Sequence, residues 1–265
     1  MDVLNFKVLL ITALIFVPIE HLFALRPNQK IFRRAFLNDL VYAVFNNAPI
    51  TLGLVAVITL ATASMGWLVP KSVGTAVSLQ PIWLQVTEIV LIADIVFYFA
   101  HRAFHAVPFL WRFHAVHHSI EELDWLAGHR IHPVDQILTK GASFIPLYLL
   151  GYSEEAIGLF AFIFHAHALL LHANVRLNIG PLRWLVASPQ FHHWHHANER
   201  AAYDKNFAGQ LAFIDVIFGT MHLPGNAVPE RYGIEDPIPS NYIEQLAYPF
   251  VPKGKTDEAP STSDA

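Results

Sequence analysis

The sequence predicts an all-α, polytopic membrane protein, with about four transmembrane helices and a histidine-rich helical cap on the cytoplasmic side. Three observations predict it. The chain is 54% hydrophobic and 14% charged, with a mean hydropathy of +0.39, too apolar for an ordinary soluble enzyme. Its apolar residues fall in runs long enough to enter a bilayer. Finally, 14 of its 16 histidines lie between His101 and His196, in clusters with helical spacing. Cysteine is absent, which excludes disulfides, thiolate ligands and cysteine nucleophiles. A net charge of −4 offers no electrostatic footprint for nucleic acid.

Residues 3–25 read as a first membrane helix around Val8–Val17. Glu20 and His21 stand where a cleaved signal peptide would need small residues, which argues against cleavage. A loop with Arg26, Lys30, Arg33 and Arg34 follows, and short basic loops stay in the cytoplasm. Residues 40–64 form a second span, with Pro49 and Gly53 as kink positions. Gly66, Pro70, Gly74 and Pro81 mark a turn-rich loop on the far side. A third span, Ile82 to Ala100, returns to the cytoplasm and delivers His101 there. The apolar runs 137–150 and 156–172, joined by Gly-Tyr-Ser-Glu-Glu, form a hairpin that crosses or re-enters and returns to the side it left. The expected divisions are N-terminal helices over 1–87, a catalytic unit over 88–220 and a cytoplasmic extension over 221–252. Residues 253–265 are expected to form a polar, disordered tail.

The histidine spacing carries the chemistry. His101 and His105 are i, i+4, so they share a helix face. His114, His117 and His118 are i, i+3, i+4, and His192, His195 and His196 repeat that pattern. Eight imidazoles aimed at one centre exceed the needs of one metal ion and suggest two. A catalytic zinc site uses three protein ligands and a water, and the H-E-x-x-H signature is absent. An all-histidine centre with two metals beside a membrane suits oxygen activation on a lipid. Asp94, seven residues before His101, lies on nearly the same helix face. There it is expected to accept an N–H from His101 or His105. Trp111, Trp125 and Trp194 fit either a lipid entrance or, better, the membrane interface.

The motifs HRAFH, HAVHH and HHWHH, with HRIHPVDQ, LLLHAN and YDKNFAGQLAFIDVIFGT, resemble those of the fatty acid hydroxylase/sterol desaturase superfamily over residues 88–220. The resemblance implies a non-haem di-iron oxygenase with a cytoplasmic active site, hydroxylating or desaturating a lipid with O2. It also implies two iron ions (zinc as a substitute) and a separate electron donor, cytochrome b5-like or ferredoxin-type with a reductase. Carried onto this chain, the ligands are His101, His105, His114, His117, His118, His192, His195 and His196, with His172 as a further match. Family members that pair His172 do so four residues earlier, where this chain has Ala168, and His132 is the candidate for the missing nitrogen. Asp204 and Asn206 match a D-x-N element read as support for the ligands. His193 is expected to be structural, and His129 and His167 carry no assignment. Two other readings compete. A histidine-rich metal transporter would place polar groups at mid-membrane, and a metal-dependent lipid hydrolase would need neither O2 nor a reductant.

Overall fold

A computed structural model describes residues 6–251; the expected tail from Lys253 lies outside them. Eleven α-helices occur among the described residues, with no strand beyond two isolated bridges. They are α1 (Phe6–Leu22), α2 (Phe36–Phe45), α3 (Asn47–Met65), α4 (Lys71–Ser78), α5 (Ile82–Ala106), α6 (Pro108–His118), α7 (Pro133–Leu150), α8 (Glu154–His172), α9 (Pro189–His195), α10 (Phe213–Ile217) and α11 (Tyr242–Ala247).

Three segments, Asn47–Leu68, Ile82–Ala106 and Glu154–His172, are long and apolar enough to cross a membrane. The expectation was about four. α1, with 17 described residues, and α7, which carries Asp135 and Lys140 in its first half, are not among them. No residue of α1 or α3 is fully buried, and exposed apolar side chains such as Leu10, Leu14, Leu52 and Leu60 leave one side of each helix open, as lipid-facing helices require. The expected second span is two helices that meet at Asn46, upstream of Pro49. The Asn46 amide donates to the Ile131 carbonyl at 2.7 Å, fixing the break against the segment before α7. Gly53 is a close approach and no kink: a Cβ there would lie 2.3 Å from Ile137 Cδ1 of α7.

The hairpin forms as expected from its joint. Gly151 closes α7 at φ +80°, and Ser153 caps α8 by accepting the Ala156 N–H. α7 packs between α3 and α5, and α8 against α5. α5, α6, α8 and α9 all end in histidine-bearing turns. The C-terminal end of a helix carries partial negative charge, so four converging ends form a cation-attracting region before any side chain is counted. Glu20 of α1 pins this end of the molecule by accepting the N–H groups of Trp125 and Asn174.

Candidate metal centre

The three histidine boxes do not map onto the site box by box. His101, His105, His114, His118 and His195 form one group, and His117, His172, His192 and His196 form a second. Within each group the ligand-capable nitrogens lie within 4.8 Å of one another. His114 and His118, one turn apart on α6, serve the first group, and His117, offset from both around the same broad face, serves the second. His192 and His196 are likewise paired, and His195 crosses to the first group. The groups adjoin, the His118 and His196 rings stacking with centroids 4.6 Å apart.

Protonation decides what this arrangement holds. A neutral imidazole carries one N–H; where Nδ1 donates it, Nε2 presents a bare lone pair. Nδ1 of His101 donates to the Phe207 carbonyl (2.8 Å), that of His114 to Asp135 (2.6 Å) and that of His195 to the Lys205 carbonyl (2.8 Å). Yet the Nε2 atoms of His101 and His114 are 3.0 Å apart, and that of His118 lies 3.1 Å from His114 and 3.0 Å from His195. In the second group Nδ1 of His117 donates to the Arg130 carbonyl (2.8 Å) and that of His172 to the Ala168 carbonyl (2.7 Å). Their Nε2 atoms are 3.1 Å apart, and the His192 Nε2 lies 3.0 Å from that of His172. The buried Nε2 of His105 has no partner at all.

Between His101 and His114, and between His117 and His172, lone pairs face one another at these distances and repel unless a cation lies between them. Extra protons are disfavoured, because burial first and neighbouring imidazoles second hold His114, His118, His192, His195 and His196 well below the usual histidine range. Burial and His172 do the same for His117. Two groups of neutral imidazole nitrogen therefore fit two metal ions.

His132 does not join either group. Its Nδ1 accepts the Val134 N–H, capping α7, and its Nε2 donates to the Leu246 carbonyl, so neither nitrogen offers a free lone pair. His193 is likewise used twice: Nε2 donates to the Ala173 carbonyl, and Nδ1 meets the Tyr232 hydroxyl. Asp94 does not touch a histidine. Its carboxylate accepts the N–H groups of Gly209, Gln210 and Leu211, holding the loop whose Phe207 carbonyl orients His101. Asp215 braces the same loop through the N–H groups of Phe207 and Ala208.

Asp204 lies 3.3 Å from His105 Nδ1. Asn206, fully buried and at φ +60°, donates to the carbonyls of Phe191 and His222, fastening α9. Trp125 and Trp194 are buried, neither facing an interface, while Trp111 packs against His105 and His118. Sequence reasoning missed Asp135, and it missed the buried chain Arg130–Asp39–Arg33–Asp124 that anchors the segment presenting the Arg130 carbonyl. An acid in the first turn of an apolar helix was the signal for Asp135.

A cavity of about 380 Å³ reaches both groups, with His101, His114, His117, His172 and His192 in its wall. Apolar residues of α1, α3 and α8 line its other side, including Leu9, Ile50 and Phe164. Such a volume falls in the range of ligand pockets.

Comparison with known proteins agrees with this geometry. The fatty acid hydroxylase family matches residues 86–220, which contain both histidine groups. The ornithine lipid hydroxylase OlsE of Rhizobium tropici is 34% identical over 67% of this chain and 54% of its own length. Human alkylglycerol monooxygenase is 35% identical over 59% of this chain and 34% of its own length. A very-long-chain aldehyde decarbonylase of rice, GL1-11, is 26% identical over 57% of this chain. The chain thus spans only about half, or less, of the lengths of the first two relatives. No solved structure matches it. With half of its length matched and both imidazole groups inside the match, the chain belongs to the fatty acid hydroxylase family.

Proposed function

We propose that this chain is a membrane-bound non-haem di-iron oxygenase that hydroxylates or desaturates a lipid with O2 and electrons from a separate donor protein. The observation that carries the proposal is the pair of adjoining groups of buried, neutral imidazoles whose lone pairs converge. Two bound irons supply the reduction of O2 and the removal of hydrogen from an unactivated C–H bond. The chain's residues do the rest. His101, His105, His114, His118 and His195 hold one iron, and His117, His172, His192 and His196 the other. The carbonyls of Phe207, Lys205, Arg130 and Ala168, with Asp135, keep five rings in the tautomer that leaves Nε2 free. The cavity, lined by apolar residues of α1, α3 and α8 as well as by the histidines, gives a lipid chain room to reach both groups. The relatives act on ornithine lipid and alkylglycerol by name, which supports a polar lipid as substrate.

The site faces the cytoplasm in this proposal. The basic loop lies on the histidine side, since Arg33 pairs with Asp124 and the Gln29 amide donates to the Leu123 carbonyl. Trp67 and Trp83, highly exposed and flanking the turn-rich loop, suit the opposite interface. The catalytic unit is proposed as residues 88–220, with the following segment folded over it through Tyr232 and Leu246.

The test is metal content and product together. Detergent-purified protein is expected to hold about two irons per chain, and His117→Ala and His195→Ala each to lose iron and activity. Lipids from expressing cells should gain oxygen or lose hydrogen only in air. Zinc retained under iron-replete expression, with an O2-independent product, would replace the oxygenase by a hydrolase.

A further inference from the structure

Lys140 is unexplained by the metal centre. It sits in α7 and lines the cavity that touches both histidine groups, yet its ammonium makes no hydrogen bond and no ion pair among the described residues. Asp135, the carboxylate whose field acts on it, is engaged by His114 at 2.6 Å. His129 and His165 line the same cavity, with ring centroids 5.9 Å apart, and the buried Nε2 of His129 has no partner. Asn46, Gln136 and Thr139 add polar groups to this wall.

An unpaired ammonium between apolar helices is costly, and the cost is recovered when an anion occupies the space beside it. The charge of the centre acts in the same direction. Every residue of both ligand groups is a neutral imidazole, with no carboxylate among them, so bound metal leaves its positive charge uncompensated by its ligands.

We propose that Lys140, with His129 and His165, forms an anion subsite that anchors a carboxylate or phosphate of the lipid, so that the C–H presented to the histidine groups lies a fixed distance from that charge. This rests on the lipid-oxygenase reading for its purpose, though the binding step can be measured without turnover.

The probes are a pyrene-tagged fatty acid, the lysophosphatidate of the same tagged chain, and the matching uncharged alcohol, titrated into the full-length protein in neutral detergent. Wild type should bind at least one anionic probe about tenfold more tightly than the alcohol. Whichever anionic probe is preferred identifies the head group as carboxylate or phosphate. Lys140→Gln should erase the preference at unchanged iron per chain, and Lys140→Arg should keep most of it. Equal binding of all three probes by wild type overturns the proposal, as does a preference that survives Lys140→Gln. Equal binding by wild type overturns the proposal even if Lys140→Gln does not fold, and an anionic preference of wild type in metal-free protein separates the subsite from the charge of the centre. An anionic preference without any O2-dependent product would remove the oxygenase reading and leave the subsite standing.

Discussion

Asp135 and Asp94 are both buried carboxylates near the histidines, and they act at different removes. Asp135 accepts directly from His114 Nδ1 and fixes its tautomer. Asp135→Asn should therefore weaken metal retention about 10- to 100-fold, read as iron per chain against a competing chelator. Asp94 acts one step further back, through three backbone N–H groups of the 209–211 loop. Asp94→Ala leaves those donors unsatisfied and should cost about 2–4 kcal/mol, read as a lowered denaturation midpoint of the metal-free protein. Full stability with selective loss of iron would contradict that assignment. The sequence spacing placed Asp94 on a helix face near His101 but did not give its partner, because the loop whose N–H groups it accepts lies 115 or more residues downstream. His132 misleads for a related reason: the Pro133 that follows it already marks a helix start, where a side chain serves the backbone.

Among the helices, local signals were legible where they were self-contained and failed where a neighbour decided. The i, i+3, i+4 boxes foretold helices and convergence, and the structure assembles the nitrogens they promised. They did not foretell that each three-histidine box divides between two groups, since that depends on how α6 and α9 face one another. The 40–64 run carries no charge, and its break falls at Asn46, whose bond to the Ile131 carbonyl the sequence does not show. The hairpin joint was legible from Gly151 and Ser153 alone. At Gly151, an alanine would adopt φ +80° with its Cβ 2.7 Å from the Gly74 backbone. The left-handed backbone alone costs about 1–2 kcal/mol, and the contact with Gly74 adds to it, so Gly151→Ala should lower stability clearly in a detergent unfolding assay. Gly158→Ala, with nothing within 4 Å of the added Cβ, is the matched control and should be neutral or mildly stabilising. Equal effects at both positions would remove Gly151 from its role in the turn.

The molecule's organisation joins apolar helices without a single fully buried residue to a cap that buries its two histidine groups and a chain of ion pairs. Composition revealed the first part; the buried chain Arg130–Asp39–Arg33–Asp124 was hidden, because Arg33 reads in sequence as one more loop charge. This construction sets the protein's response to acid. His114, His117, His118, His192, His195 and His196 are held below their ordinary pKa by burial, so they stay neutral when folded. In the unfolded chain the same groups protonate near their ordinary value of about 6.5. Above that pH the two states bind equal numbers of protons at these groups, and stability does not depend on them. Below it the unfolded state binds more, so stability falls as pH falls, with a slope that grows with the number of histidines involved. Protons also compete with metal for the same nitrogens, so iron loss should follow the same direction. Denaturation midpoints and iron per chain measured between about pH 5 and pH 8 should be flat at the upper end and drop together below about 6.5. Removing iron beforehand should leave the stability decline in place, because it originates in burial. A metal-free protein as stable at about pH 5 as at about pH 8 would mean that these histidines are not neutral in the folded cap, and the lone-pair argument for two metal ions would fall with it.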